Sequence, residues 1–227
     1  MDKKLPYFLP VTIVVAGAII ATALYMVRMG DEDIAIVRNL AELAPLSASD
    51  HVLGSASAPV VIITYTDIDC EHCKTLRETM EQIVTEYGPT GDVAWVFRHF
   101  PNIASRPYTA LHAEASECVH EQSPDGTFFQ FINAMNQIAP KGSQFNPEGY
   151  EQVVKNLGLS VEAFRSCVQS DRMTGRVEKN FENALRIGAD ATPYSVLLVK
   201  NHEPVPISGA LSYDDMKAVI EESLRTR

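Results

Sequence analysis

The stretch Asp69–Glu78, DCEHCKTLRE, contains two cysteines, Cys70 and Cys73, with two residues between them. The β-branched residues 60–66 precede it, and such a run is typical of a strand buried on both faces of a sheet. From Cys70 to Tyr87 the apolar positions recur every three or four residues, which predicts a helix. The cysteine pair is therefore predicted to lie where a buried strand ends and a helix begins.

A cysteine in this position is predisposed to act as a thiolate. Unpaired backbone N–H groups and the helix dipole favour negative charge at a helix start. Cysteine pKa values are lowered at such sites and in Cys-x-x-Cys motifs. A Cys70 thiolate can attack a disulfide, and Cys73, one helical turn further on, can resolve the mixed disulfide. His72 adds positive charge whenever it is protonated.

Other uses of the pair stay open at the level of residue types. Zinc would need two more ligands at a matching spacing. The sequence has no second Cys-x-x-Cys, and the Cys-x-His of residues 118–120 is poorly spaced for zinc. A metal-binding, copper-handling module that uses Cys70, Cys73 and His72 is an alternative to the redox pair. Inert packing of two small residues is another.

The bulk composition restricts the partners. The chain of 227 residues carries a formal net charge of −10, which disfavours a nucleic-acid partner because such binding requires clustered Lys and Arg. Residues 5–27 contain no charge and are long enough for a transmembrane helix. Lys3 and Lys4 precede this run, so the positive-inside rule puts the N-terminus in the cytoplasm and the rest of the chain on the extracytoplasmic, periplasmic side. A cleaved signal peptide is the alternative, and either leader leads to a compartment where disulfides persist.

The remaining pattern predicts an α/β layer with a helical insertion. The order is strand, helix, strand, a block of five helical segments between residues 106 and 187, two strands and a last helix. Residues 31–50 are predicted to be a short helix and a linker that tethers the domain.

Several short motifs, taken in order, identify the chain as similar to one family. It resembles the membrane-anchored branch of the DsbA-type thiol:disulfide oxidoreductases. The motifs are Ala58-Pro59, Cys70-Glu71-His72-Cys73-Lys74, Arg98, Phe100-Pro101, the helix around residues 113–118, Thr192-Pro193 and Ser208-Gly209-Ala210.

This resemblance implies an architecture with defined boundaries. We expect a thioredoxin-like α/β domain formed by residues 51–104 and 188–227, interrupted by an all-helical domain at residues 105–187. A transmembrane anchor or signal segment at residues 1–30 and the linker at residues 31–50 are expected to precede it.

The resemblance also implies roles for individual residues. Cys70 would be the exposed nucleophile and Cys73 the buried resolving cysteine, flanking Glu71 and His72 in the catalytic motif. Pro193 would be a cis-proline that faces the pair, with Thr192 before it.

The other two cysteines, Cys118 and Cys167, fall on separate helices of the insertion. An even cysteine count in an oxidising compartment favours pairing, and some relatives carry a second disulfide in this domain. We expect a structural disulfide between them; two buried free thiols are the alternative, and a regulatory role stays open.

The sequence departs from the family in two respects. Relatives often carry a buried acid six residues before the nucleophile, where this chain has Thr64. Asp67, Asp69 and Glu71 all lie close to Cys70 in sequence, and each opposes a thiolate. We therefore expect a milder oxidant than the strongest members of the family.

The expected function is that of a disulfide-forming oxidase acting on cysteine pairs of secreted or envelope proteins. Neither metal nor organic cofactor is expected, since the Cys70–Cys73 disulfide is the redox group. We expect a monomer, because residues 31–50 are short for a separate dimerisation domain. The resemblance implies a membrane protein of the DsbB type that reoxidises it. Alternatives are a disulfide isomerase or reductase of the same fold, the metal-binding envelope module, and a chaperone-like binding module with incidental thiols.

Overall fold

A computed structural model describes residues 40–123, 126–138 and 146–226. The anchor expected at residues 1–30 and the first part of the linker lie outside the described residues. Within the described ranges, no helix combines the length and the apolar character needed to cross a membrane.

Five strands form one mixed sheet. They are β1 (His51–Gly54), β2 (Val60–Thr66), β3 (Val93–His99), β4 (Tyr194–Val199) and β5 (Val205–Ser208). Their order across the sheet is β1-β3-β2-β4-β5, and only the β2–β3 pair is parallel. Every residue of β2 and β3 is buried, as the β-branched run of β2 predicts for a strand covered on both faces.

Seven α-helices complete the described chain. They are α1 (Glu71–Tyr87), α2 (Thr109–Gln122), α3 (Thr127–Ile138), α4 (Pro147–Asn156), α5 (Val161–Gln169), α6 (Thr174–Arg186) and α7 (Tyr213–Thr226), with a short 3-10 turn at Gly88–Thr90 after α1. Five of them, α2 to α6, lie between β3 and β4, so the helical insertion is present. The Ser212 hydroxyl caps α7 by accepting a hydrogen bond from the backbone N–H of Asp215 at 3.2 Å.

The sequence pattern did not predict β1. This strand has four residues, and it pairs antiparallel with β3, from His51 opposite Phe97 to Gly54 opposite Ala94. Gly54 has a φ of +90°, and a Cβ built on it would lie 2.5 Å from the carbonyl oxygen of Val93. Only glycine therefore allows this close approach of the two strands.

Two apolar cores lie on opposite faces of the sheet. The first joins the sheet to α1, α7 and the helical insertion, and Trp95 lies in it with 1% of its surface exposed. The second contains Ile63, Val96 and Ala184 and is covered by α6. The sheet is thus buried between helical layers, as expected for an α/β fold.

Residues 40–50, expected to belong to the linker that precedes the domain, pack on the domain instead. Arg98 in β3 is buried and donates to both carboxylate oxygens of Asp50 at 2.8 and 3.0 Å. It also donates to the carbonyl oxygens of Ala44 and Pro45, each at 3.0 Å. A buried guanidinium needs several acceptors, and this segment supplies them. The linker prediction is therefore wrong for residues 40–50.

Candidate active site

Cys70 is the N-cap residue of α1, directly after the turn that follows β2. Its backbone is extended (φ −87°, ψ 128°), and no side chain caps the helix. Its carbonyl oxygen accepts the first hydrogen bond of the helix, from the N–H of Lys74 at 3.0 Å. The Cys70 sulfur thus lies at the positive end of a 17-residue helix.

The peptide bond between Thr192 and Pro193 is cis, and it lies beside the cysteine pair. The Cys70 thiol donates to the carbonyl oxygen of Thr192 at 3.7 Å, which brings the start of β4 against the end of β2. The backbone N–H of Gly209 donates to the carbonyl oxygen of Pro193 at 2.9 Å and closes the turn from the other side.

This turn covers the cysteines more than the resemblance implied. Cys70 exposes 8% of its surface and Cys73 exposes 3%, so both are buried and both are free thiols. The expectation of an exposed nucleophile is wrong, because the Thr192–Pro193 turn covers the Cys70 sulfur. Cys70 is still the more accessible of the two.

The two thiols have opposite pKa shifts. The hydrogen bond from the Cys73 thiol is the largest cause that lowers the pKa of Cys70, to about 5, and it outweighs the opposing effect of burial. A hydrogen bond from the Thr192 side chain and the positive charge of Arg106 also lower it. Burial raises the pKa of Cys73 well above its ordinary value, as does the proximity of Cys70. The geometry therefore favours a Cys70 thiolate next to a protonated Cys73.

Two of the three acids that were expected to oppose the thiolate are held by partners. The buried carboxylate of Asp67 accepts hydrogen bonds from the Arg106 guanidinium at 3.0 Å and the Thr109 hydroxyl at 2.6 Å. The Asp69 carboxylate lies 2.8 Å from Nδ1 of His112. Both carboxylates thus have partner groups beside them, and the lowering of the Cys70 pKa comes mainly from the hydrogen bond with Cys73.

Glu71 and His72 occupy the first turn of α1 with exposed side chains. They border the cysteine pair on the solvent side. Their catalytic roles remain predictions, because their positions do not assign them a step.

Sequence reasoning missed Arg106 and His112 as site residues. Both come from the helical insertion or the loop that leads into it, more than 30 residues after the cysteines. The available signal was the pair of acids in the Asp67-Ile68-Asp69 turn between a buried strand and a helix, since carboxylates placed there require donors.

Thr64, at the position where relatives carry an acid, takes part in a buried hydroxyl network. Its Oγ1 accepts from the indole Nε1 of Trp95 at 3.1 Å and lies 3.1 Å from the hydroxyl of Ser195. Nearer to the pair, the backbone N–H of Asp67 donates to the Cys73 sulfur at 3.5 Å. The strand position of Thr64 therefore contributes hydroxyl groups to the interior, and no carboxylate.

A separate cluster in the described residues has ligand types suited to a metal. Potential ligand atoms of His51, His99 and Glu117 lie within 4.8 Å of one another. Glu117 Oε1 lies 2.7 Å from Nε2 of His51 and 3.0 Å from Nε2 of His99, and Glu117 Oε2 lies 2.9 Å from the Arg176 guanidinium. Two imidazole N–H groups and one guanidinium therefore already compensate the buried carboxylate.

Cys118 and Cys167 form the expected disulfide, which joins α2 to α5. It lies within the helical insertion, with both residues 1% exposed.

The fold and the site together define a class of protein: a thioredoxin fold with an inserted helical domain and a Cys-x-x-Cys pair facing a cis-proline. The family model described as Thioredoxin matches residues 47–222, and the chain belongs to this thioredoxin family.

Solved structures of DsbA-type proteins have the same fold. The alpha-DsbA1 of Wolbachia pipientis superposes with a TM-score of 0.69 at 22% identity, over 82% of this chain and 94% of that one. The oxidised BdbD of Bacillus subtilis gives a TM-score of 0.68 at 23% identity, over 80% of this chain and 96% of that one. The DsbA-like architecture implied by the sequence motifs is confirmed.

A curated protein of another kind also matches this chain. The Na(+)/H(+) antiporter NhaA 3 of Salinispora tropica is 28% identical over 177 residues, which is 78% of this chain and 26% of the antiporter. The chain thus spans about a quarter of the length of that curated relative.

Proposed function

We propose that this protein is a thiol:disulfide oxidoreductase that works as a disulfide-forming oxidase. The observation that carries the proposal is the unequal pair at the start of α1: a Cys70 thiol with a pKa lowered to about 5 beside a Cys73 thiol with a raised pKa. No metal or organic cofactor enters the reaction, since the two sulfurs carry the electrons.

The reaction is two consecutive exchanges. A substrate thiolate attacks Sγ of Cys70 in the oxidised pair, the Cys70–Cys73 bond breaks, and Cys73 leaves with the electron pair and takes up a proton. A second substrate thiolate then attacks the substrate sulfur of the mixed disulfide and releases Cys70 as a thiolate. The substrate loses two electrons and gains a disulfide, and the protein is left as the reduced pair.

The thiolate also supports the direction of this exchange. A low thiol pKa makes Cys70 a good leaving group in the second step, because thiols of lower pKa leave faster. Stabilising the thiolate stabilises the reduced protein, and a stabilised reduced form is what makes an oxidant strong. A reductase would need a more stable disulfide.

The cellular setting completes the proposal. The uncharged residues 5–27 after Lys3 and Lys4 support a single membrane anchor with the catalytic domain on the extracytoplasmic side. There the protein acts as a monomer on cysteine-containing secreted or envelope proteins. A membrane partner of the DsbB type reoxidises it.

The test is stoichiometric oxidation of a reduced two-cysteine peptide by the oxidised full chain in detergent. We expect one peptide disulfide per protein, with Cys70 and Cys73 appearing as thiols by mass. Cys70→Ser should abolish the exchange, whereas Cys118→Ala/Cys167→Ala should retain it. Exchange that survives Cys70→Ser would refute the proposal.

A further inference from the structure

Two neighbouring cavities lie beside the active site, each of about 230 Å³. They share Pro101, Ile103 and Phe181, and together we call them the Ile103 groove. One of them also has Thr192 in its wall, and the carbonyl oxygen of Thr192 is 3.7 Å from the Cys70 sulfur. A polypeptide attached to Cys70 by a disulfide therefore has this groove next to it.

The groove is apolar and open. Ile103 exposes 57% of its surface and Leu185 exposes 53%, and both belong to the small set of large apolar side chains that the described residues leave exposed. Phe181 is only partly buried behind them. Exposed aliphatic side chains that border a concave site mark it as a place where another apolar group binds.

Its charge has a single sign. Among the described residues that line the groove, every ionisable side chain is a carboxyl: Asp190 next to Leu185, and Glu114 and Glu178 in the second cavity. Burial raises the pKa of Glu114, as do the nearby charges of Asp171 and Glu178. A cationic group in the groove would relieve this accumulation of negative charge.

We infer that the Ile103 groove binds an unfolded segment of the substrate that carries an aliphatic side chain and a Lys or Arg near its reacting cysteine. This rests on the proposed exchange at Cys70 and adds a selectivity to it. An extended segment fits because Cys70 exposes only 8% of its surface, so the substrate sulfur has to enter beside Thr192. The neighbouring aliphatic side chain then lies against Ile103 and Leu185, and the cation lies against the carboxylates.

The experiment compares three reduced cysteine peptides of equal length with the oxidised full chain. One has Leu and Lys beside the cysteine, one has Leu and Glu, and one has Ser and Lys. Each rate of exchange with the protein disulfide is divided by the rate with dithiothreitol for the same protein variant. We expect the Leu–Lys peptide to exceed both of the others by about tenfold, as a contact worth one decade in rate would produce.

Matched variants assign the preference to the groove. Leu185→Ser should reduce the advantage of Leu over Ser, and the double variant Glu178→Gln/Asp190→Asn should reduce the advantage of Lys over Glu. Val205→Ser, on an exposed residue of β5, and Glu182→Gln, on the same helix as Glu178, lie outside the groove and should keep both advantages.

The outcomes separate the two proposals. If dithiothreitol reacts and the three peptides have equal normalised rates, the groove inference is overturned and the oxidoreductase stands. The same holds if the two control variants lose the peptide preference as strongly as the groove variants. If neither dithiothreitol nor any peptide exchanges with Cys70, both proposals are overturned.

Discussion

At the scale of the residue, the Cys70–Cys73 pair shares one proton unequally. The Cys73 thiol donates to Cys70, and burial keeps Cys73 protonated, so the negative charge resides on the sulfur that substrate reaches first. Arg106 adds to this from the loop before α2, while it neutralises Asp67. The nucleophile is thus defined by its neighbours as much as by the helix start.

The first prediction concerns the titration of the reduced pair. Because the pKa of Cys70 is lowered to about 5, thiolate absorbance at 240 nm should rise with a midpoint near pH 5. This thiolate stabilises the folded reduced protein fully above the ordinary thiol pKa of about 8.5, and the stabilisation is lost as the pH falls through 5. Cys70→Ser should remove the transition; a midpoint near the ordinary value would contradict the assignment.

The second prediction concerns Arg106. Arg106→Gln removes a positive charge that lowers the Cys70 pKa, so the 240 nm midpoint should rise by about one pH unit. Arg106→Lys keeps the charge and should restore most of the shift. Arg165→Gln, which breaks an exposed pair with Glu151 on the helical insertion, should leave the midpoint unchanged. Equal midpoints for Arg106→Gln and the native chain would mean that Arg106 only holds Asp67.

At the scale of the element, the helical insertion and the segment before β1 are attached to the sheet by different means. The insertion is covalently closed by the Cys118–Cys167 disulfide and packed through the first apolar core. The segment of residues 40–50 is attached by polar contacts, through Arg98 and through Asn183, which donates to the carbonyl oxygen of Glu42 at 2.8 Å. The loss of each attachment is therefore expected to affect a different part of the protein.

Removing the disulfide should destabilise the protein without stopping exchange. The bridge closes residues 49 apart in sequence, and the chain-entropy model assigns such a loop about 4 kcal/mol. Cys118→Ala/Cys167→Ala should lower the free energy of unfolding by about that amount in urea while the Cys70 exchange rate is retained. A loss of exchange in a variant that is still folded would point to a regulatory disulfide instead.

Removing Arg98 should release residues 40–50. Arg98→Met leaves Asp50 and two carbonyl oxygens without their buried donor, and breaking a buried ion pair costs about 3–5 kcal/mol. Amide exchange should accelerate in residues 40–50. Lys74→Gln, which removes the exposed Lys74–Glu78 pair, is the control. It should change neither the free energy of unfolding nor the amide exchange of residues 40–50. Unchanged amide exchange in Arg98→Met would contradict the anchoring.

The strand and helix pattern could be predicted because each element is long and periodic, as in β2 and α1. β1 could not, because four residues carry too little periodicity and its pairing depends on Gly54 fitting against Val93. The packing of residues 40–50 depends on acceptors for Arg98, and a buried arginine in a strand does not indicate which distant segment supplies them.

The candidate active site was likewise predictable from the sequence only in part. The cysteine pair, the cis bond at Pro193 and the Cys118–Cys167 bridge stand at the residues that the family motifs indicated. Burial of Cys70 and the partners of Asp67 and Asp69 required three dimensions, since Arg106 and His112 are distant in sequence. The sign of the Cys70 pKa shift depends mainly on the hydrogen bond with Cys73, which the sequence spacing does not establish.

At the scale of the whole molecule, the electrostatics of the thioredoxin domain favour its reduced state, and the N-terminal anchor that would hold it outside the membrane is part of the proposed function. The surface next to the active site is apolar and acidic, which is the basis of the substrate selectivity proposed for the Ile103 groove. The direction of electron flow depends on the relative stability of the reduced and oxidised Cys70–Cys73 pair.

The equilibrium reduction potential of the Cys70–Cys73 pair tests this most directly. The full chain in detergent would be equilibrated with glutathione redox buffers, with Cys118 and Cys167 followed separately by mass. We predict a potential towards the DsbA end of the scale, about −120 mV, because the Cys70 thiolate stabilises the reduced form. The lowered pKa of Cys70 thus replaces the expectation of a milder oxidant that the acids near Cys70 suggested from the sequence. A potential near that of thioredoxin, about −270 mV, would show that the protein disulfide is the stable form and that the protein works as a reductase.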